Sequence, residues 1–211
     1  MLGLHNISQY GQSDLNVAAN LGLNPYVDCV WEGGRLAEIQ FSDGFKAGTV
    51  DLTQCSELQK VSIKGNAAIG LLDLSKLPKL KEAALGSAQR FHAIDELRIV
   101  DCAALQSLSC YSLRDLKSLD LTGCANLQKL HFYACHTLTS LDPTPCANLY
   151  SLHFSWCREL GSLDLTGCTD LRILRLYGCA NIVSLNLTRC RNLRVFDRIN
   201  CPNLTIVRDR P

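Results

Sequence analysis

The sequence lacks most of the features that announce a function. No apolar run approaches the ~18–20 residues of a membrane span, so no spanning helix is expected. The opening stretch, MLGLHNISQYGQSD, has neither the charged leader nor the apolar core of a secretory signal. The expected compartment is therefore the cytoplasm, with export through a dedicated secretion system left open. There is no GxSxG, no phosphate loop, no HExxH and no dinucleotide fingerprint. The expectation is a protein that is not an enzyme, with no small-molecule substrate, no catalytic residues, no cofactor and no metal. Net charge is small, +1, which excludes a polyanion magnet or an acidic tail at the level of the whole chain.

Charge is nonetheless uneven. Arginines 172, 175, 189, 191, 194, 198, 208 and 210 crowd one end against Asp197 and Asp209, and acids prevail in residues 1–60. Polyanion binding by the arginine-rich end is one reading. The aromatic interleaving typical of nucleic-acid readers is missing there, which favours arginines that merely keep the last edge soluble.

What the chain has is a repeat. From residue 116 it reads LKSLDLTGCAN, LQKLHFYACHT, LTSLDPTPCAN, LYSLHFSWCRE, LGSLDLTGCTD, LRILRLYGCAN, IVSLNLTRCRN, LRVFDRINCPN. Leucine or a substitute stands at positions 1, 4 and 6, and cysteine at position 9, so that Cys124 to Cys201 recur every eleven residues. Earlier units start at Leu36, Ala47, Leu58, Ile69 and Leu80. A three-residue insertion, Phe91-His92-Ala93, precedes Ile94, Leu105 and Leu116. Asn66 at position 9 exposes the parent pattern LxxLxLxxN. Regularity of this kind specifies a solenoid, in which each coil buries its apolar face on its neighbours.

This pattern resembles the leucine-rich repeat family, from about Leu36 to the C-terminus. The nearest variety is the nested bacterial (IRREKO) type, with cysteine in place of the ladder asparagine. The resemblance implies a solenoid and, with it, a bacterial protein, possible as an effector. Partners of other leucine-rich repeat classes do not carry over, because the longer unit with a following helix is absent.

The physical coil is expected to be 22 residues. Alternate units differ: one set carries Asp-x-Thr at positions 5 and 7 (Asp51/Thr53, Asp120/Thr122, Asp142/Thr144, Asp164/Thr166), the other carries larger groups (His131/Tyr133, His153/Ser155, Arg175/Tyr177). Eleven residues enclose too little interior for four apolar side chains, whereas two short strands facing each other across a leucine core do so. The fold class expected is thus a mainly β solenoid of about eight coils with two parallel ladders, positions 4 and 6 inward and position 5 outward. Residues 1–35 form an N-terminal cap and 36–211 the solenoid. In the cap, Ser13-Asp14 is expected to start a helix over Leu15–Leu21, Tyr26–Trp31 to be a strand, Gly33-Gly34 a turn, and Leu36–Phe41 a second strand. Trp31 is expected to cover the first coil.

Twelve cysteines in a small secreted chain would suggest disulfides. Here they hold one phase of a repeat with an apolar core, and reduced, buried thiols are expected. Stacked aspartates repel one another and are expected to be solvated or paired with flanking Lys and Arg. Calcium is not expected, since the glycine-rich loops that gather it are missing.

One surface stands out. His131, His153 and Arg175 are position 5 on successive coils, Tyr133 and Tyr177 are position 7, Trp156 is position 8, and Tyr150 and His136 lie nearby in the repeat. Exposed aromatics with arginine and histidine are the composition of protein-binding hot spots. The partner-binding residues expected are His131, Tyr133, Tyr150, His153, Trp156, Arg175 and Tyr177, and the partner another protein. Against this stands a face whose rings only stack on each other down a solvated ladder. A third reading is structural: a monomer, or coils that associate weakly end to end, negative end on positive end.

Overall fold

The computed structural model describes residues 11–87 and 93–208. It comprises one helix, α1 (Gln12–Asn20), and the strands β1 (Cys29–Glu32), β2 (Arg35–Phe41), β3 (Lys46–Asp51), β4 (Lys60–Ile63), β5 (Ala68–Asp73), β6 (Glu82–Leu85), β7 (Ala93–Arg98), β8 (Ser107–Tyr111), β9 (Lys129–Tyr133), β10 (Ser151–Ser155), β11 (Ser162–Asp164), β12 (Ile173–Tyr177), β13 (Ser184–Asn186), β14 (Val195–Ile199) and β15 (Thr205–Val207). The chain winds as a β-solenoid. One side is a continuous nine-stranded sheet in the order β1-β2-β4-β6-β8-β9-β10-β12-β14, parallel throughout except for the β1–β2 hairpin. Its register steps by 22 residues per turn, as where Lys129 faces Ser151 and Ser151 faces Ile173. Earlier it steps by 25, with Glu82 opposite Ser107, and so does the other side of the coil, with Ala68 opposite Ala93. That is the three-residue insertion, although Phe91 and His92 lie outside the described residues, as do His5, Asp209 and Arg210.

Alternation explains the packing. In β9, β10 and β12 the second and fourth residues are buried and the others face outward. Position 6 thus forms an inner column of Phe41, Ile63, Leu85, Cys110, Phe132, Phe154 and Leu176, each at most 1% exposed. Phe132 and Phe154 stack nearly parallel, with ring centroids 5.2 Å apart.

The opposite side departs from the two unbroken ladders expected. It is split into two three-stranded sheets, β3-β5-β7 and β11-β13-β15, with residues 117–120 and 139–142 in between as irregular chain. Elsewhere on this side the position-6 amide makes the bond to the next coil: Leu52 to Asp73 O, Leu74 to Arg98 O, Leu165 to Asn186 O and Leu187 to Val207 O, at 2.8–3.0 Å. Position 6 of one intervening coil is Pro143, which has no N–H to donate. The ladder cannot continue through it.

The cysteines take the role of a polar ladder. The backbone N–H of Cys55, Cys124, Cys146, Cys168 and Cys190 closes a tight turn on position 6 of its own unit, as from Cys124 to Leu121 O at 3.0 Å, and the C=O receives the N–H of the next unit, as from Leu127 at 3.1 Å. The thiol reaches back to the position-6 carbonyl of the preceding coil: Cys124 to Ile99 at 3.2 Å, Cys135 to Cys110 at 3.5 Å, Cys190 to Leu165 at 3.3 Å and Cys201 to Leu176 at 3.6 Å. A weak donor suffices for one carbonyl and leaves no spare polar atom in an apolar interior. All twelve are buried and free of disulfides. Burial pushes the thiols of Cys135, Cys146, Cys168 and Cys179 up to about 12, which suppresses the nucleophilic thiolate.

The aspartates of the split side are solvated, as expected, with Asp73 half-buried. Each turns onto its own chain two residues on. Asp51, Asp142 and Asn186 accept from both the N–H and the hydroxyl of Thr53, Thr144 and Thr188, and Asp73, Asp120 and Asp164 from the N–H of Ser75, Thr122 and Thr166. These local turns engage one oxygen of each carboxylate and set the direction in which the chain leaves the strand.

The two ends differ. At the first, Gly33 and Gly34 both adopt positive φ, 56° and 77°, giving the tight β1–β2 hairpin expected. The strand before it is shorter than expected, Cys29–Glu32, and Tyr26 lies in a turn. Trp31 packs on the core and donates its indole N–H to Pro25 O at 2.8 Å. Ser13-Asp14 does not cap α1. The N-cap is Gly11, with no side-chain bond, and Asp14 is buried and ties the helix to β2 instead. At the other end no such cover is present among the described residues: Leu193, Phe196 and Ile206 are only partly buried against the core, and the Arg208 guanidinium lies 5.5 Å above the Phe196 ring.

Candidate functional site

The continuous sheet brings the position-5 residues together as the 22-residue period requires. His131 faces His153 and His153 faces Arg175 in adjacent registers, with Asp197 beyond. Tyr133 and Tyr177 share the next column, separated by Ser155. Tyr111, one coil earlier, contacts His131, their ring centroids 5.1 Å apart and steeply tilted, and the two imidazoles meet edge to face at 5.5 Å. Polar contacts run along the same row: Tyr111 hydroxyl to His131 Nδ1 at 3.3 Å, Arg175 Nη1 to His153 Nε2 at 3.4 Å, Arg175 Nε to Asp197 Oδ2 at 2.8 Å, and Tyr177 hydroxyl to Asp197 Oδ2 at 3.2 Å. Tyr111 and Asp197, the two ends of this row, were legible as the same outward columns one coil before and after the residues singled out.

Burial biases both imidazoles toward the neutral form. Burial in the row lowers the affinity of His131 for a proton, and a charge on His153 would lower it further. Burial likewise lowers that of His153, and the neighbouring Arg175 adds to the effect, against a smaller opposite pull from Asp197. The hydrogen bond from Arg175 holds the Asp197 carboxyl below the usual carboxylate range. The face therefore offers neutral imidazoles, tyrosine hydroxyls and one arginine already joined to a carboxylate. Hydrogen bonding and apolar contact, rather than charge, are what it can supply. Cys157 takes no part: its thiol turns inward to Phe132 O and Ser155 O, at 3.9 and 3.8 Å.

Trp156 stands at the C-terminal rim of this face. Its φ is +61°, and on the same rim Ser112, Ala134, Gly178 and Asn200 are also left-handed. The turn after most strands imposes that conformation; on this rim small or short polar residues satisfy it elsewhere, while Lys76 and Arg189 adopt it on the opposite side. A tryptophan there is the exception, and it is 42% exposed. Its ring lies over Gly178, where a Cβ would come within 2.5 Å of Trp156 Cε3. The next coil is glycine at the one place where the indole needs room. His136, also nearby, meets the Trp156 carbonyl oxygen through Nδ1 at 2.8 Å.

Tyr150 is not part of the same cluster. It precedes β10, whereas Trp156 follows it, so six residues of extended chain, roughly 20 Å, separate them. Tyr150 instead receives the Lys129 ammonium, 5.9 Å from its ring centroid.

No protein-family model and no curated protein sequence matches the chain.

Proposed function

We propose that the chain is a non-enzymatic protein-binding scaffold of leucine-rich repeat type, whose partner protein docks on the outer face of the nine-stranded sheet. The observation that carries this reading is Trp156. A bulky residue costs about 1–2 kcal/mol in a left-handed conformation, its ring remains substantially exposed, and nothing in the core depends on it. Beside it His131, His153, Arg175 and Tyr177 make a preordered polar row, the surroundings in which an interface anchor is worth most. Replacing His131, Trp156, Arg175 and Tyr177 together with alanine is expected to abolish capture of the partner from a lysate of the source cells under reducing conditions. The melting temperature should move by only a few degrees, because all four are surface groups. A variant that captures the same protein as the native chain would refute this face.

A second reading is favoured by the uncovered end. Leu193, Phe196 and Ile206 are core residues left partly open, beside Arg191, Arg194 and Arg208. The opposite end carries the exposed acid Glu32. Head-to-tail association would bury the first set and pair the second. Light scattering at low salt and high concentration should then show growth that reverses at high salt; a monomer under all conditions removes the idea.

A further inference from the structure

The split side holds a cleft of about 830 Å³ between β7 and residues 115–120. It marks a place where two coils that should be paired are not. No backbone hydrogen bond joins residues 93–99 to 115–121, although the coils close again immediately beyond, Asp101 N–H donating to Thr122 O at 2.8 Å. On the far side of the opened segment pairing also resumes, with Thr139 N–H on Lys117 O at 3.0 Å. In between, the amide N–H groups of Lys117, Ser118 and Asp120, which the alternation of the strand turns toward β7, have no backbone partner, and neither has that of Ile99 on the opposite lip. A run of unpaired backbone donors open to solvent beside a formed strand edge is a template for another strand.

We infer that this cleft is a second binding site, which takes an extended basic peptide as an added β-strand between β7 and residues 117–121. Three observations agree on that occupant. First, the open amides supply the main-chain recognition that strand addition uses. Second, one residue of a strand fills about 160 Å³ of a sheet, from a rise of about 3.3 Å, a strand spacing of about 4.8 Å and a layer thickness of about 10 Å. The cleft therefore holds about five residues, the length of the strands across the core. Third, the lips are acidic. Asp95, Glu96, Asp115 and Asp120 face Arg98 and Lys117, and Arg98 is already engaged by Glu96 at 2.7 Å. Positive side chains on the peptide would find Asp95 and Asp115 exposed and, among the described residues, in no ion pair.

This site lies on the side opposite the Trp156 face, so the two proposals stand or fall separately. The test is amide hydrogen exchange on the intact chain with acetyl-Lys-Val-Lys-Val-Lys-amide as probe. In the free protein the amides of Ile99 and Lys117–Leu121 should exchange fast. Saturating peptide should slow those of Ile99, Ser118 and Asp120, which face the added strand, at least tenfold. The glutamate counterpart should bind at least tenfold more weakly, as should the lysine peptide with N-methylated valines, which cannot complete the ladder. The double variant Asp95→Lys/Asp115→Lys, altered only at exposed positions, should reverse the preference between lysine and glutamate peptides. Amides 117–121 already protected in the free chain, no slowing at saturation, or equal binding of both peptides would overturn the site.

Discussion

Replacing Phe154 with alanine should cost about 3–5 kcal/mol of unfolding free energy, the range for deleting a fully buried aromatic ring. Phe154 has no exposed surface and stacks on Phe132 in the column that runs the length of the array. The stack itself contributes about 0.5–1.5 kcal/mol beyond the area buried. A coil touches only its neighbours, so the loss falls on the two interfaces that join β9, β10 and β12. Denaturant unfolding followed by circular dichroism measures it, and broadening or splitting of the transition would mark uncoupled halves. The comparison that makes the result specific is Ile206→Ala, at the uncovered end, where the side chain is only partly buried; about 1 kcal/mol is expected there. Similar costs at the two positions would show that the column does not couple the array.

That column was readable before any coordinates. Position 6 points inward by the period of two, and the 22-residue unit follows from the alternation of Asp-x-Thr with His, Tyr and Arg. The same arithmetic placed His131, His153 and Arg175 in one row. What escaped it has physical causes. Tyr150 shares the repeat with Trp156 but stands at the other end of a strand, and closeness in an eleven-residue phrase is not closeness in space. The second ladder fails at Pro143, a residue in plain sight whose missing N–H matters only once position 6 is known to carry the inter-coil bond. The wider gap beside β7 has no such marker, because it depends on how one coil settles on the next. The Asp-x-Thr turns are local and were open to reading from spacing alone; the expectation of a repelling column hid them.

The partner of Asp14 was the least legible feature. Its ligands, Arg35 and the Leu36 N–H, lie 21 and 22 residues away, and a Ser-Asp pair before an apolar stretch reads naturally as a cap. In the structure its carboxylate accepts Arg35 Nε at 2.8 Å and Leu36 N at 2.9 Å, and fastens α1 over the first coil. Asp14→Ala should destabilise the chain by about 2 kcal/mol at neutral pH. Most of that comes from orphaning the buried Leu36 N–H, about 1–3 kcal/mol. The ion pair adds little, since Arg35 is 38% exposed. Asp14→Asn, which keeps an acceptor, should lose about half as much.

The pH dependence separates this role from simple packing. Burial pushes the Asp14 carboxyl up, but the bonds from Arg35 and Leu36 outweigh it and hold the group below its ordinary value. A depressed carboxyl stabilises fully above its unfolded value, about 3.9, and loses that contribution as pH falls through the lower folded one. The native chain and Asp14→Ala should therefore differ most above about pH 5 and converge on acidification. Amide exchange in α1 should accelerate in the variant while the middle coils stay protected, because Asp14 fastens the helix to β2 and touches none of the later coils. A gap that stays constant down to pH 2 would mean that the side chain acts through its volume, and the cap would then owe its attachment to Ala18 and Leu23, the apolar residues of that segment buried against the core.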